Sequence, residues 1–190
     1  MSRRRTKSKG WPPRWLRHLV RVLGRPPDRV ETGAGPPRRG PPPLRPLGLR
    51  LHHDGRFTHE GVPITHTRLR AAFDRSVRYL PDEGAYVVQL GHFRGLIEVE
   101  EAAFFVRSFD ARTGAVSLSD GSQEALEVAS LRVSPIDGAL LCMVKRDLAR
   151  GGLPARFHHA AQAELLAAVE EDADAPAVRI AGRRIALPEL

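Results

Sequence analysis

Leu49-Arg50-Leu51-His52-His53-Asp54-Gly55-Arg56-Phe57-Thr58-His59 decides the fold class. Apolar and polar residues alternate on both sides of Asp54-Gly55, the pattern of two antiparallel strands joined by a tight turn. Glu60-Gly61 turns the chain again into Val62-Pro63-Ile64. The period then changes. Leu69, Ala72, Phe73, Val77 and Leu80 fall on one helical face, with Arg68, Arg70, Asp74, Arg75 and Arg78 outside it. Thr65 or Thr67 can cap that helix, and Pro81 stops it.

Strand signals follow at residues 85–90, 96–99, 103–109 and 116–118, then at 126–133 and 139–145, with turns at Asp120-Gly121 and Asp137-Gly138. Gly151-Gly152-Leu153-Pro154 introduces a second helix with an apolar stripe of Phe157, Ala161, Leu165 and Val169. Residues 178–187 close the chain as a hairpin around Gly182. The parts fall into two halves, about 48–118 and 119–190, each with one helix, several strands and a short hairpin ending in isoleucine (Ile64, Ile185). The hairpin precedes the helix in the first half and follows it in the second. The expected class is α+β, with antiparallel sheets in two repeated halves rather than βαβ winding.

Upstream of this body the composition shifts. Residues 1–50 hold 14 Lys and Arg against Asp28 and Glu31, a net of +12, while residues 51–190 stand at −4. Residues 1–47 read as a disordered, basic, Pro-rich arm, and residues 48–190 as the globular domain. Within the arm, residues 13–24 read as a short amphipathic helix. Its apolar face includes Trp15, Leu19 and Leu23, and its basic face includes Arg14, Arg17 and Arg21. Such a helix can lie on an anionic membrane, meet a polyanion, or fold back on the body. Electrostatic attraction of this kind weakens as salt rises. The acidic body argues against specific binding of duplex DNA.

A lone cysteine, Cys142, sits in Ala139-Leu140-Leu141-Cys142-Met143-Val144 and reads as a buried strand residue in a reducing cytoplasm. No cleaved targeting signal is expected, because Arg17 and Arg21 interrupt the first apolar stretch. His52, His53, His59 and His66 lie close in sequence without metal-ligand spacing, so neither metal nor cofactor is expected. His158 and His159 read as helix residues on different faces, which argues against a joint role. Glu98 and Glu100 alternate with Ile97 and Val99 as the charged face of a half-exposed strand. No nucleophile-elbow, P-loop or dinucleotide motif is present.

From about residue 50 onward the motif order resembles the bacterial domain-of-unknown-function family 1285. The residues that carry the likeness are Asp54-Gly55, Gly61-Val62-Pro63-Ile64, Tyr86-Val87-Val88, Ile97-Glu98-Val99-Glu100-Glu101-Ala102-Ala103-Phe104, and Gly152-Leu153 leading to Glu164-Leu165, with a closing hairpin at Leu187-Pro188. The resemblance implies two structurally repeated α+β halves, the second superficially like a pleckstrin-homology barrel. It implies no established activity; a ligand between the halves, in signalling, is the conjecture attached to it. The family's Cys-Gly-Asp-Ile-Asp stretch is replaced here by Leu47-Gly48-Leu49-Arg50-Leu51. Its Pro-x-Glu-Lys segment becomes Gly91-His92-Phe93-Arg94, and its tyrosine-rich helix becomes Ala160-Ala161-Gln162-Ala163. The chain reads as a divergent member.

Three functional readings stand at this point. The first is a non-enzymatic cytoplasmic binding or regulatory module with a ligand or protein partner between its halves. His66, Arg94, Lys145 and His159 are the candidate ligand residues by position. The second is a peripheral protein held at the inner membrane face, or on a polyanion, by the arm. The third is an enzyme of unrecognised type.

Overall fold

A computed structural model of the chain describes residues 44–90, 93–170 and 176–189. The arm helix at 13–24, with Arg14, Trp15, Arg17, Leu19, Arg21 and Leu23, lies outside the described residues.

The opening hairpin forms as its alternation demands. Strand β1 (Arg45–Leu51) pairs antiparallel with β2 (Phe57–His59), Leu49 opposite His59 and Leu51 opposite Phe57. Leu49, Leu51 and Phe57 are each 1% exposed, so the inward face of the hairpin is fully used. Gly55 takes φ +80° in the turn, and the Asp54 carboxylate accepts the Arg56 amide at 3.0 Å. β3 (Val62–Pro63) lies at the sheet edge, where the missing proline N–H leaves no gap in the ladder.

Helix α1 (Thr67–Ser76) is shorter than its apolar stripe. Its cap is His66, whose Nδ1 accepts the Leu69 amide at 3.3 Å, rather than Thr65 or Thr67. Val77 and Leu80 leave the helix and open and close β4 (Val77–Leu80). This segment, Val-Arg-Tyr-Leu, pairs across residues 81–84 with β5 (Ala85–Leu90), placing Tyr79 against Tyr86 with ring centroids 5.1 Å apart. β-branched and aromatic cross-strand pairs favour the strand there. Val77 is 1% exposed in β4, and an apolar residue suits a buried helical position equally, so the apolar stripe could not tell them apart.

β6 (Phe93–Val99) returns beside β1, and this one pairing in the sheet is parallel, Leu49 opposite Ile97 and Leu51 opposite Val99. The sheet order is β3-β2-β1-β6-β5-β4. Residues 45–47, assigned to the linker from composition, open β1 instead. Leu47 packs where Gly95 has no side chain; a Cβ on Gly95 would come within 2.1 Å of Leu47 Cγ.

The second sheet has order β10-β11-β12-β7-β8-β9, from β7 (Phe104–Asp110), β8 (Ala115–Leu118), β9 (Gln123–Ala125), β10 (Arg132–Val133), β11 (Leu140–Val144) and β12 (Leu153–Phe157). Residues 126–133 are no continuous strand. A 3₁₀ turn at Val128–Ser130 buries Val128 and Leu131 between β9 and β10. Gly151-Gly152 leads into β12 rather than a helix, and Leu153, Ala155 and Phe157 are buried there. Pro154 is tolerated because pairing with β7 begins one residue later, at Ala155. Helix α2 (His159–Leu166) follows and packs on β7 and β12. Val169 joins β13 (Val169–Glu170) in a small sheet with β14 (Ala177–Ile180) and β15 (Arg183–Ala186). Cys142, in β11, is fully buried, and burial pushes its thiol pKa up to about 12.

The class is α+β, with two six-stranded sheets and one helix to each. The repeat lies in the strand topology. Each sheet is two three-stranded meanders, and the first strand of one lies parallel to the last strand of the other: β1 with β6, β7 with β12. The helix sits between the meanders in the first sheet and after them in the second. That displacement is why the order of hairpin and helix differs between the halves. It also corrects the boundary read near residue 118. The halves join at residues 100–103, and a cut after 118 would split the β8–β9 pair, Ser117 opposite Gln123.

Candidate functional site

Two adjacent glutamates form the joint. Glu100 turns back to the first half, where it accepts the His53 amide and His53 Nδ1, both at 2.9 Å, with Arg50 at 3.5 Å. The bond from the His53 amide, then that from its ring, holds the Glu100 carboxyl down at about 2. Glu101 turns into the second half, accepting Ser134 Oγ and Arg156 Nη1, each at 2.5 Å. Arg156 itself, on β12, is 5% exposed. Its Nη2 bonds the carboxylate of Asp137, which lies in the β10–β11 turn and is held well ionised chiefly by that bond. A buried guanidinium between two carboxylates is paired as burial requires.

Beside this joint is a cavity of about 100 Å³. His53 and Asp54 wall it from the β1–β2 turn, and Asp137 and Ala139 from the β10–β11 turn. Phe105, Arg156 and Phe157 line it from the second sheet, and His158 and His159 from the start of α2. The β1–β2 turn lies over Phe105; a Cβ on Gly55 would sit 3.6 Å from that ring.

His158 is the unusual member. It occupies the N-cap position of α2 but makes no side-chain cap bond. Its ring lies 5.3 Å from that of Phe105, tilted by 36°. Its Nε2 is buried with no hydrogen-bond partner. Burial, then the charges of Arg107, His159 and Arg156, lowers its pKa to about 4, so the imidazole is neutral at pH 7. The sequence reading set His158 and His159 on different helix faces. The structure places His158 before the helix and both residues on the cavity wall.

Of the four candidate ligand residues, His159 alone lines this cavity. His66 caps α1. Arg94, on β6, lies 3.9 Å from Glu83, with its Nε buried and unpartnered. Lys145 has φ +54°, and its ammonium meets Asp120 at 3.0 Å, Glu124 at 3.2 Å and Ser122 Oγ at 2.5 Å, 5.6 Å from the centre of the Phe104 ring. Those three contacts match its three N–H donors, so the side chain clasps β9 and the β8–β9 turn. Glu101, Asp137, Arg156 and His158 were missed. Glu101 and Arg156 stand 55 residues apart, and no motif contains both.

A second cleft of about 440 Å³ lies at the other end of α2, walled by Glu164, Ala167 and Ala168 on one side and by Arg179 and Gly182 on the other. Arg179 grips Glu170 through two nitrogens there, Glu164 accepts the Phe109 amide at 2.6 Å, and the Arg112 side chain is 89% exposed. Among the described residues, no three His, Cys, Asp or Glu form a group able to hold a metal, and no helix is long and apolar enough to cross a membrane.

No protein-family model matches the chain, and no curated protein is significantly similar to it. Two solved structures are similar. One is a DUF1285 family protein from Silicibacter pomeroyi DSS-3, with 19% identity, a TM-score of 0.51, and coverage of 78% of this chain and 88% of that one. The other is a DUF1285 family protein from Shewanella baltica OS155, with 14% identity, a TM-score of 0.40, and coverage of 58% and 84%. The fold of this chain is that of the Silicibacter DUF1285 protein, a member of the family whose motif order the sequence resembles.

Proposed function

We propose that the chain is a non-enzymatic binding module of a regulatory kind, acting in the cytoplasm, and that its ligand occupies the cavity between the two halves. The observation that carries this is His158, which lines the cavity and whose Nε2 is buried without a hydrogen-bond partner. Leaving such a group unsatisfied costs about 1–3 kcal/mol, and native chains keep few of them. A ligand atom that completes the bond gives the arrangement a use. The volume equals about three water molecules, well short of a drug-sized pocket. It therefore takes a small polar group, either alone or as the tip of something larger.

Enzymatic readings have less support. Thr58 Oγ1 lies 3.0 Å from His52 Nε2, and His52 Nδ1 is 3.5 Å from Glu100, an outline of nucleophile, base and acid. Neither cleft is walled by Thr58, and the short bonds of Glu100 go to His53. The basic arm supports tethering to an anionic surface through its charge alone.

The test is ¹H–¹⁵N NMR of the full chain with methylammonium, acetate and urea as cationic, anionic and neutral polar probes. The expected result is that at least one shifts the amides of His53, Phe105, Ala139 and His158 as a group. Silence at those amides with all three, or shifts grouped on Glu164 and Arg179, would overturn the assignment.

A further inference from the structure

We infer that the chain pairs with a second copy of itself along the outer edge of β15, in a register centred on Ile185. The inference is independent of the junction cavity.

A strand at a sheet edge presents main-chain N–H and C=O groups to any strand that can match them, and native chains blunt such edges. The three sheets have six edges: β3 and β4, β10 and β9, β13 and β15. β3, β10 and β13 are two residues long, β3 contains Pro63, and β9 has three residues. β4 has four, but Arg78 Nη1 donates to the Val77 carbonyl at 2.6 Å, so a side chain already occupies that edge. β15 has four residues, all exposed, and pairs with β14 without a bulge. Its guard is the charge of its two arginines, which repels only a strand that sets a cation opposite them.

Ala181 and Gly182 join β14 to β15, with φ +51° and +75°. Such a two-residue turn is closed by a hydrogen-bonded pair, here Ile180 and Arg183. Bonding alternates along an antiparallel ladder, so Arg183 and Ile185 turn their main-chain groups to β14, while Arg184 and Ala186 turn theirs away. The Leu187 amide, bonded to the Pro176 carbonyl, keeps the same phase. Two copies related by a two-fold axis then set Arg184 opposite Ala186 of the second copy, twice, with Ile185 opposite Ile185 between them.

Ile185 ends a row. Val169 lies opposite Val178, and Val178 opposite Ile185, so the three share one face of the small sheet. Val178 is fully buried and Ile185 is 39% exposed, so the apolar row reaches the edge and stops in water. A second Ile185, at a non-hydrogen-bonded position where Cα atoms approach to about 4.5 Å, continues the row across the axis. The charges suit the same register. Arg184 faces Ala186 and Arg183 faces Leu187, so no like charges stand directly opposite. Glu189, two residues beyond Leu187, comes diagonal to Arg183 of the second copy, within reach of both long side chains. Among the described residues neither Arg183 nor Glu189 has an ion pair, and the pairing gives each an opposite charge. Pro188, without an N–H, ends the ladder. The interface is small, so the dimer is weak and concentration-dependent.

The experiment is sedimentation velocity of the full chain, wild type and Ala186→Pro, between about 10 µM and 1 mM, where a small interface is populated. Ala186→Pro removes an N–H that β14 does not use. The expected result is a dimer fraction that rises with concentration in the wild type, and association about tenfold weaker in Ala186→Pro, which loses the two inter-copy bonds of that N–H. Mild oxidation reads the register. Ile185→Cys should give a disulfide-linked dimer, because its two Cα atoms fall within the span of a disulfide, and Arg183→Cys should not. Cys142 is buried and takes no part. A wild type that stays monomeric through the whole range, or Ala186→Pro associating as tightly as the wild type, would overturn the pairing. Arg183→Cys cross-linking as fast as Ile185→Cys would overturn the register. If Ala186→Pro disturbs the hairpin, the comparison of the two cysteine variants decides.

Discussion

Replacing Arg156 by Met is expected to destabilise the fold by about 3 kcal/mol, the low end for breaking a buried ion pair. The loss comes mostly from what is left behind. Glu101, with a side chain 10% exposed, keeps the Ser134 hydroxyl and cannot rehydrate without opening the joint between the halves. Asp137, 43% exposed, returns to water at little cost, which holds the total down. Adding Glu101→Gln to Arg156→Met should recover part of the loss, because the unpaired charge is gone; two independent sites would give additive losses. Denaturant unfolding of the two single variants and the double variant checks this. A single Arg156→Met variant within about 0.5 kcal/mol of the wild type would mean that the pair does not hold the joint.

Lys145→Met should cost about 2–3 kcal/mol, because Asp120 and Glu124 then face each other without the cation that joins them. Both are partly sheltered, with side chains 10% and 29% exposed. Burial alone would push the Asp120 carboxyl up, but the hydrogen bonds from Ser122 and Lys145 outweigh it and hold the carboxyl below its ordinary value. A carboxylate depressed in the folded state stabilises it above the unfolded pKa, near 4, and loses that contribution as pH falls through the folded value. The gap between wild type and Lys145→Met is therefore expected to narrow below pH 4. Unfolding curves at pH 7 and pH 3 read this directly. A variant as stable as the wild type at pH 7 would return Lys145 to the list of free, ligand-facing groups.

The two cases show where sequence reasoning reaches. The β1–β2 hairpin was legible because its information is local: alternation on either side of Asp54-Gly55 and a glycine that accepts φ +80°. The ends of the helices were not. Residues 77–80 and 153–157 carry apolar residues that fit a helical stripe, and pairing with strands elsewhere in the chain made them β4 and β12. The parallel contact of β1 with β6 joins residues nearly fifty apart and leaves no local trace. Of the candidate ligand residues, His159 stands on the cavity wall. Lys145 was misjudged because its carboxylate partners lie more than twenty residues upstream, and Arg156 was overlooked because Glu101 lies 55 residues away. His158 was hidden by the assumption that the helix had already begun.

His158 also offers the most direct test that the cavity exists to bind something. The His158→Phe variant keeps an aromatic ring against Phe105 and removes the unpartnered nitrogen. The histidine is neutral when folded, with a pKa near 4, and ordinary when unfolded, near 6.5. The unfolded chain therefore takes up the proton first, and stability present above pH 6.5 is lost as pH falls toward 4. Unfolding free energies of both proteins at pH 7 and pH 5, with whichever of methylammonium, acetate and urea shifts the cavity amides titrated into each, make one measurement. The predicted result is a variant about 1 kcal/mol more stable at pH 7, with a smaller loss at pH 5 and no response of the cavity amides to the probe. A variant that is less stable and still binds the probe would contradict the assignment of this cavity as the functional site.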